Sequence, residues 1–141
     1  MIWKNKPEVS VLNAISQETA VEHLGISFTA IGEDYLEATM PVDKRTIQPA
    51  GILHGGASAL LAETLGSVAS SLCIPDLGTY VPVGVELNAS HVKSARSGIV
   101  TGRATPIRVG RSMHVWNIEI KDAIGDLLCV CRLTTMVIER K

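Results

Sequence analysis

Between Gly51 and Pro75 only Glu63 carries a full charge at neutral pH. It sits inside Ala57-Ser58-Ala59-Leu60-Leu61-Ala62-Glu63-Thr64-Leu65-Gly66-Ser67-Val68-Ala69, which offers it no polar face. On a helical wheel Ala57, Leu61, Leu65, Val68 and Leu72 form one apolar stripe. Glu63 points away from that stripe, among Ala59, Gly66, Ser67 and Ser70. A helix that is apolar or small all round is normally buried on both sides, so the pattern predicts a buried carboxylate. Such a group is costly unless it is paired or neutralised, which makes it a functional-site candidate.

Groups that could serve this carboxylate are close in sequence. Gly55 and Gly56 open the helix, so their N–H groups are expected to be unpaired and to lie at its positive end. Lacking side chains, they let a ligand oxygen approach the backbone, as an oxyanion or carbonyl site requires. Gln48, on the preceding loop, supplies a neutral amide, and His54 directly precedes the glycines. Ser67 follows Glu63 by one turn, within reach of it or of a water. Taken singly, each has a plainer use: a tight packing turn, a loop residue, a helix-packing serine. It is the combination, with a carbonyl or oxyanion site beside a lone carboxylate, that is specific.

These groups need a frame. The segment Gly55–Leu72 reads as one helix of about 27 Å at ~1.5 Å per residue. Pro75, Asp76 and Gly78 end it. Before it, Ser10 is placed to cap a helix over Val11–Ser16, and Gly25 closes a second short helical piece. Leu36, Ala38, Met40 and Val42 alternate with more polar neighbours as a strand does. After it, Val81, Val83, Val85, Leu87 and Ala89 alternate in another strand, where Pro82 suggests an edge. Two further strands are expected at Ile99–Val109 and around Trp116, Ile118 and Ile120. A last one runs over Leu127–Ile138. Consecutive strands joined by short turns imply an antiparallel sheet, which must curl around the one long helix.

Composition limits the function classes. The chain has 141 residues, of which 46% are hydrophobic and only 4% aromatic, which fits one domain, 1–141, with an aliphatic core. A net charge of −1 gives no general case for nucleic acid or a membrane surface. No apolar run reaches the ~20 residues that span a bilayer, and the start lacks a signal-peptide core. Cys73, Cys129 and Cys131 lack CxxC spacing, and the four histidines lack ligand spacing. Reduced thiols in a cytoplasmic protein, with no metal or redox cofactor, are expected. The window Leu87–Ile118 contains no acidic residue but holds Lys93, Arg96, Arg103, Arg108 and Arg111. It reads either as ordinary solvated strand ends or as a positive rim for phosphates, with Arg108 and Arg111 flanking Gly110 at a turn.

The motifs resemble the hot-dog-fold acyl-CoA thioesterases that carry a catalytic Glu on the central helix. The likeness covers nearly the whole chain. It includes Met1-Ile2-Trp3-Lys4, Leu36-Glu37-Ala38-Thr39-Met40-Pro41-Val42-Asp43, Arg45-Thr46 and Gln48-Pro49. It continues through Leu53-His54-Gly55-Gly56-Ala57-Ser58, Leu61-Ala62-Glu63, Glu86-Leu87-Asn88-Ala89, His91 and Arg132-Leu133-Thr134-Thr135. The resemblance implies an α+β hot-dog fold and hydrolysis of an acyl-CoA or acyl-carrier thioester. It implies that the Gly55 N–H polarises the carbonyl and that Glu63 is nucleophile or general base. Gln48 and His54 then help hold the carbonyl and Glu63, and Ser67 positions water. His91 and the rim of Lys93, Arg96, Arg108, Gly110 and Arg111 would contact substrate. The family further implies a dimer, doubled to a tetramer, with each site shared between two chains, and an acyl or aryl carrier protein as a possible partner. Where aryl-acting members carry a phenylalanine, this chain has Ala50, so a roomier acyl pocket is expected there. Two rivals share some features. A hydratase or dehydratase of acyl thioesters usually needs a paired His and acid on one motif. A non-catalytic acyl-CoA-binding module has no need of Glu63.

Overall fold

The computed structural model describes residues 1–6 and 8–141. Two short helices, α1 (Val9–Ile15) and α2 (Ala20–His23), lead into β1 (Ser27–Ile31) and β2 (Leu36–Pro41). The long helix α3 (Gly55–Leu72) follows, then β3 (Tyr80–His91), β4 (Ile99–Val109), β5 (Met113–Lys121) and β6 (Leu127–Glu139). The six strands form one antiparallel sheet in the order β1-β2-β4-β5-β6-β3. Helix α3 packs on its concave face and touches β2 through β6. This is the expected α+β arrangement of a sheet around a helix.

The helix is held by close packing and by one buried polar cluster. Leu61, Leu65 and Leu72 turn into the core, each stabilising it by about 1.5–3 kcal/mol on the usual scale. Gly66 permits close approach: a β-carbon there would stand 2.5 Å from Leu133 Cδ2. Ser70 is fully buried; its hydroxyl accepts from Trp116 Nε1 at 2.7 Å and shares a 2.8 Å hydrogen bond with Thr135. So Gly66 and Ser70 face the sheet, whereas the helical wheel grouped them with Glu63. Val68 packs at the margin of the core, half-buried, and also lines the concavity beside Glu63.

Two other details differ from the sequence reading. Helix α1 begins at Val9 with Glu8 as its N-cap residue, so Ser10 lies inside the first turn rather than capping it. The alternation in β3 also changes phase. A bulge between Gly84 and Glu86 makes Gly84 pair with Thr135 and Glu86 with Thr134. Directly opposed residues share a face, so Pro82 and Gly84 point inward before the bulge, and Leu87, Ala89 and His91 after it. Val81 and Val83 lie on the outer face. Pro82 does mark an edge, because β6 is the only strand that pairs with β3 among the described residues. A twelve-residue strand with one side unpaired is an open template for another strand.

Candidate active site

The N terminus of α3 is built around His54. Its Nδ1 accepts from the Gly56 N–H at 2.7 Å, and its carbonyl accepts from Ala57 and Ser58 at 3.0 and 3.2 Å. The Gly56 N–H, expected to be free, is therefore spent on the cap. The Gly55 N–H has no hydrogen-bond partner among the described residues. His91, from the end of β3, lies against this glycine: a β-carbon on Gly55 would sit 2.9 Å from Nε2. On the loop before α3, Gln48 Oε1 accepts from the Ala50 N–H, leaving the amide NH₂ free to donate. Gln48, Gly55, Ser58, His91 and Lys93 line one cavity of about 380 Å³, within the size range of small-ligand sites. Among the described residues no carboxylate lines it. Ala50 is exposed on the loop and is not part of its wall.

Glu63 faces elsewhere. It lines a concavity of about 320 Å³ with Val21, Leu60, Thr64, Ser67 and Val68. In the single chain Glu63 is exposed rather than buried, although its carboxylate reaches back against Gly84 of β3. Among the described residues it has no ion-pair partner, and no hydrogen bond joins it to Ser67. Val21 was not singled out by sequence reasoning, which placed Val68 in the apolar stripe. Val21 reaches the concavity only because α2 packs against α3, a contact that local patterning does not encode. Glu63 follows Gly55 by eight residues, or about 12 Å along the axis at ~1.5 Å per residue. Reacting groups must come within about 3–3.5 Å. The Gly55 N–H and Glu63 of one chain thus start far apart for joint action on one carbonyl carbon.

The basic window is not uniformly free in space. Lys93 bonds Asp126 and Asp122 of the β5–β6 turn, and these carboxylates raise its pKa. Arg103 pairs with Glu37 at 2.7 Å and lies over the Tyr35 ring. Arg96, Arg108 and Arg111 are exposed and have no ion-pair partner among the described residues. Arg108 folds across Gly110 at the β4–β5 turn. Gly110 and Arg111 line a cavity of about 750 Å³ at the C-terminal end of α3, together with Lys4, Cys73, Tyr80 and His114. One chain therefore holds the two parts of the expected substrate site at opposite ends of α3. Burial pushes the Cys73 thiol up to about 11, so at neutral pH it stays protonated and unreactive.

A sequence profile of the thioesterase superfamily matches residues 50–129. The chain belongs to the thioesterase superfamily. Similar proteins include the 1,4-dihydroxy-2-naphthoyl-CoA hydrolase of Escherichia coli, 52% identical over 98% of this chain and 100% of that protein. The proofreading thioesterase EntH of Cronobacter turicensis is 53% identical over 97% of this chain and 98% of its own. A thioesterase of known structure from Haemophilus influenzae superposes with a TM-score of 0.95 at 52% identity, covering 99% of this chain and 96% of that one. The protein is accordingly a thioester hydrolase with the hot-dog fold. No helix among its described residues is long and apolar enough to cross a membrane.

Proposed function

We propose that this thioesterase hydrolyses acyl-CoA or acyl-carrier thioesters in the cytoplasm, at sites shared by two chains. One observation carries the reading: the free Gly55 N–H and the lone carboxylate lie on one helix, about 12 Å apart, each in its own concavity. Pairing two chains through the open edge of β3 offers a way to bring these half-sites together. The thioester carbonyl accepts from the Gly55 N–H at the positive end of α3, with Gln48 donating beside it. Glu63 of the partner subunit acts on the carbonyl carbon. As a nucleophile it forms an anhydride and expels the thiolate, and water then cleaves the anhydride. As a base it takes a proton from the attacking water, and the tetrahedral intermediate expels the thiolate, which takes up that proton. Ser67, beside Glu63, holds the water. The acyl group lies against Val21, Leu60 and Val68. Two such dimers assemble as a tetramer, and the unpaired Arg108 and Arg111 meet the nucleotide phosphates of CoA or an acidic carrier protein.

Two variants test the reading. Glu63→Gln keeps the shape, so it should fold and bind substrate while losing nearly all turnover. Retention of more than about a tenth of wild-type kcat, a loss of under ~1.4 kcal/mol, would remove Glu63 from the mechanism. Refolding Glu63→Gln together with Gln48→Ala should restore activity beyond either variant alone. Random pairing puts about half the chains in mixed dimers, each with one intact site, so recovery approaches about a quarter of wild type. A mixture no more active than its components would place both groups in one chain.

A further inference from the structure

We propose that Gly84 is a positioning residue for Glu63, its bare α-carbon forming the seat of the carboxylate; this rests on Glu63 being the catalytic group. Gly84 pairs with Thr135, whose side chain is buried against Ser70 of α3, so Gly84 presents its missing side chain to the helix. A β-carbon there would stand 2.5 Å from Glu63 Oε1 and 3.6 Å from its Cδ. The next atom it would meet, Leu133 Cδ1, is an ordinary 3.9 Å away. The helix is drawn to this strand pair by Gly66 on Leu133, one turn past Glu63. The carboxylate thus lies between its own helix and the one place on β3 that leaves it room.

The bulge after Gly84 serves the same end. Strand side chains alternate, so in a regular strand without the bulge Glu86 would follow Gly84 onto the inner face and Leu87 would turn outward. With the bulge, Glu86 opposes Thr134 on the outer face and Leu87 opposes Leu133 in the core. A second carboxylate is thereby kept off the face that Glu63 uses. Like charges side by side would favour protonation of one of them and silence a nucleophile or base. Bulges recur beside active sites because they re-aim side chains in this way.

Gly84→Ala separates this role from a structural one. The added methyl meets only the far end of a flexible side chain, and alanine loses less backbone entropy on folding than glycine. The thermal midpoint should therefore hold or rise. The carboxylate must move by an ångström or so, which should lower kcat on the order of 100-fold with KM nearly unchanged. In a Glu63→Asp background the shorter side chain no longer reaches position 84, so adding Gly84→Ala should cost little more. An unchanged kcat in Gly84→Ala, or an equal loss in the Glu63→Asp background, overturns the proposal. A fall in thermal midpoint that accounts for the lost activity does the same. If Gly84→Ala is fully active while Glu63→Gln is dead, only the seat is wrong. If Glu63→Gln is itself active, the underlying reading fails.

Discussion

His54 serves two ends at once. Its Nδ1 caps α3 through Gly56, and that bond leaves the Gly55 N–H as the free donor of the helix end. Losing an N-cap side chain costs about 0.5–2 kcal/mol, and asparagine is among the best replacements. His54→Ala should lower unfolding stability by about 1 kcal/mol in urea titration. His54→Asn should recover most of that stability. If the imidazole matters only as a cap, His54→Asn also recovers kcat; if it helps hold the carbonyl, stability returns without turnover. Measuring both quantities on both variants separates the roles. At this scale the residue types were legible in the chain, but their hydrogen bonds were not. Nothing local says that His91 will lie against Gly55 or that Lys93 will meet two aspartates across a turn.

Each end of α3 is closed by a different element: the Gln48 loop at its start and the β4–β5 turn at its finish. The turn carries Arg108 and Arg111, which have no ion-pair partner among the described residues, unlike Lys93 and Arg103. If these arginines meet CoA phosphates, Arg108→Ala/Arg111→Ala should raise KM for an acyl-CoA and flatten its salt dependence. The same double variant should barely change KM for an acyl-pantetheine, which has no nucleotide. Equal effects on both substrates would remove the arginines from phosphate binding. The strand that bears Gly84 shows why element-level reading falters. The run Val81, Val83, Val85, Leu87, Ala89 alternates in sequence. The bulge nevertheless places its first two residues outside and its last two inside. A bulge is fixed by what the partner strand and the helix demand, not by the strand's own pattern.

Across the whole molecule the buried His114 couples stability to pH. It is 2% exposed, its Nδ1 has no hydrogen-bond partner among the described residues, and burial holds its pKa below the ordinary value of 6.5. A backbone hydrogen bond with Gly110 offsets part of that shift, but burial dominates. Unfolding frees His114 to titrate normally. As pH falls through about 6.5 the unfolded chain takes up a proton that the folded chain refuses, so stability falls with it. The loss ends below the folded pKa, where both states are protonated. One such group contributes at most about 1.4 kcal/mol per pH unit. His114→Gln should show a shallower decline of thermal midpoint between about pH 7 and 5 than the native chain, since the carboxylates common to both cancel in the comparison. Parallel curves would mean that His114 is not the group responsible.

The amino-acid sequence by itself determined the long helix, β4 and the antiparallel sheet that carries them. It also determined the order Gln48, Gly55, Glu63, Ser67 along the site. Those features rest on periodicity, turn residues and spacing within a few turns of chain, which neighbouring residues settle among themselves. The tertiary structure decided the rest. It turned Gly66 and Ser70 toward the sheet, left Glu63 on an open face, spent the Gly56 N–H on His54, and set Gly84 opposite the carboxylate. Each of these depends on how far a distant strand approaches α3 and in what register. A one-residue shift in that register reverses which face a side chain occupies, and no local signal reports it.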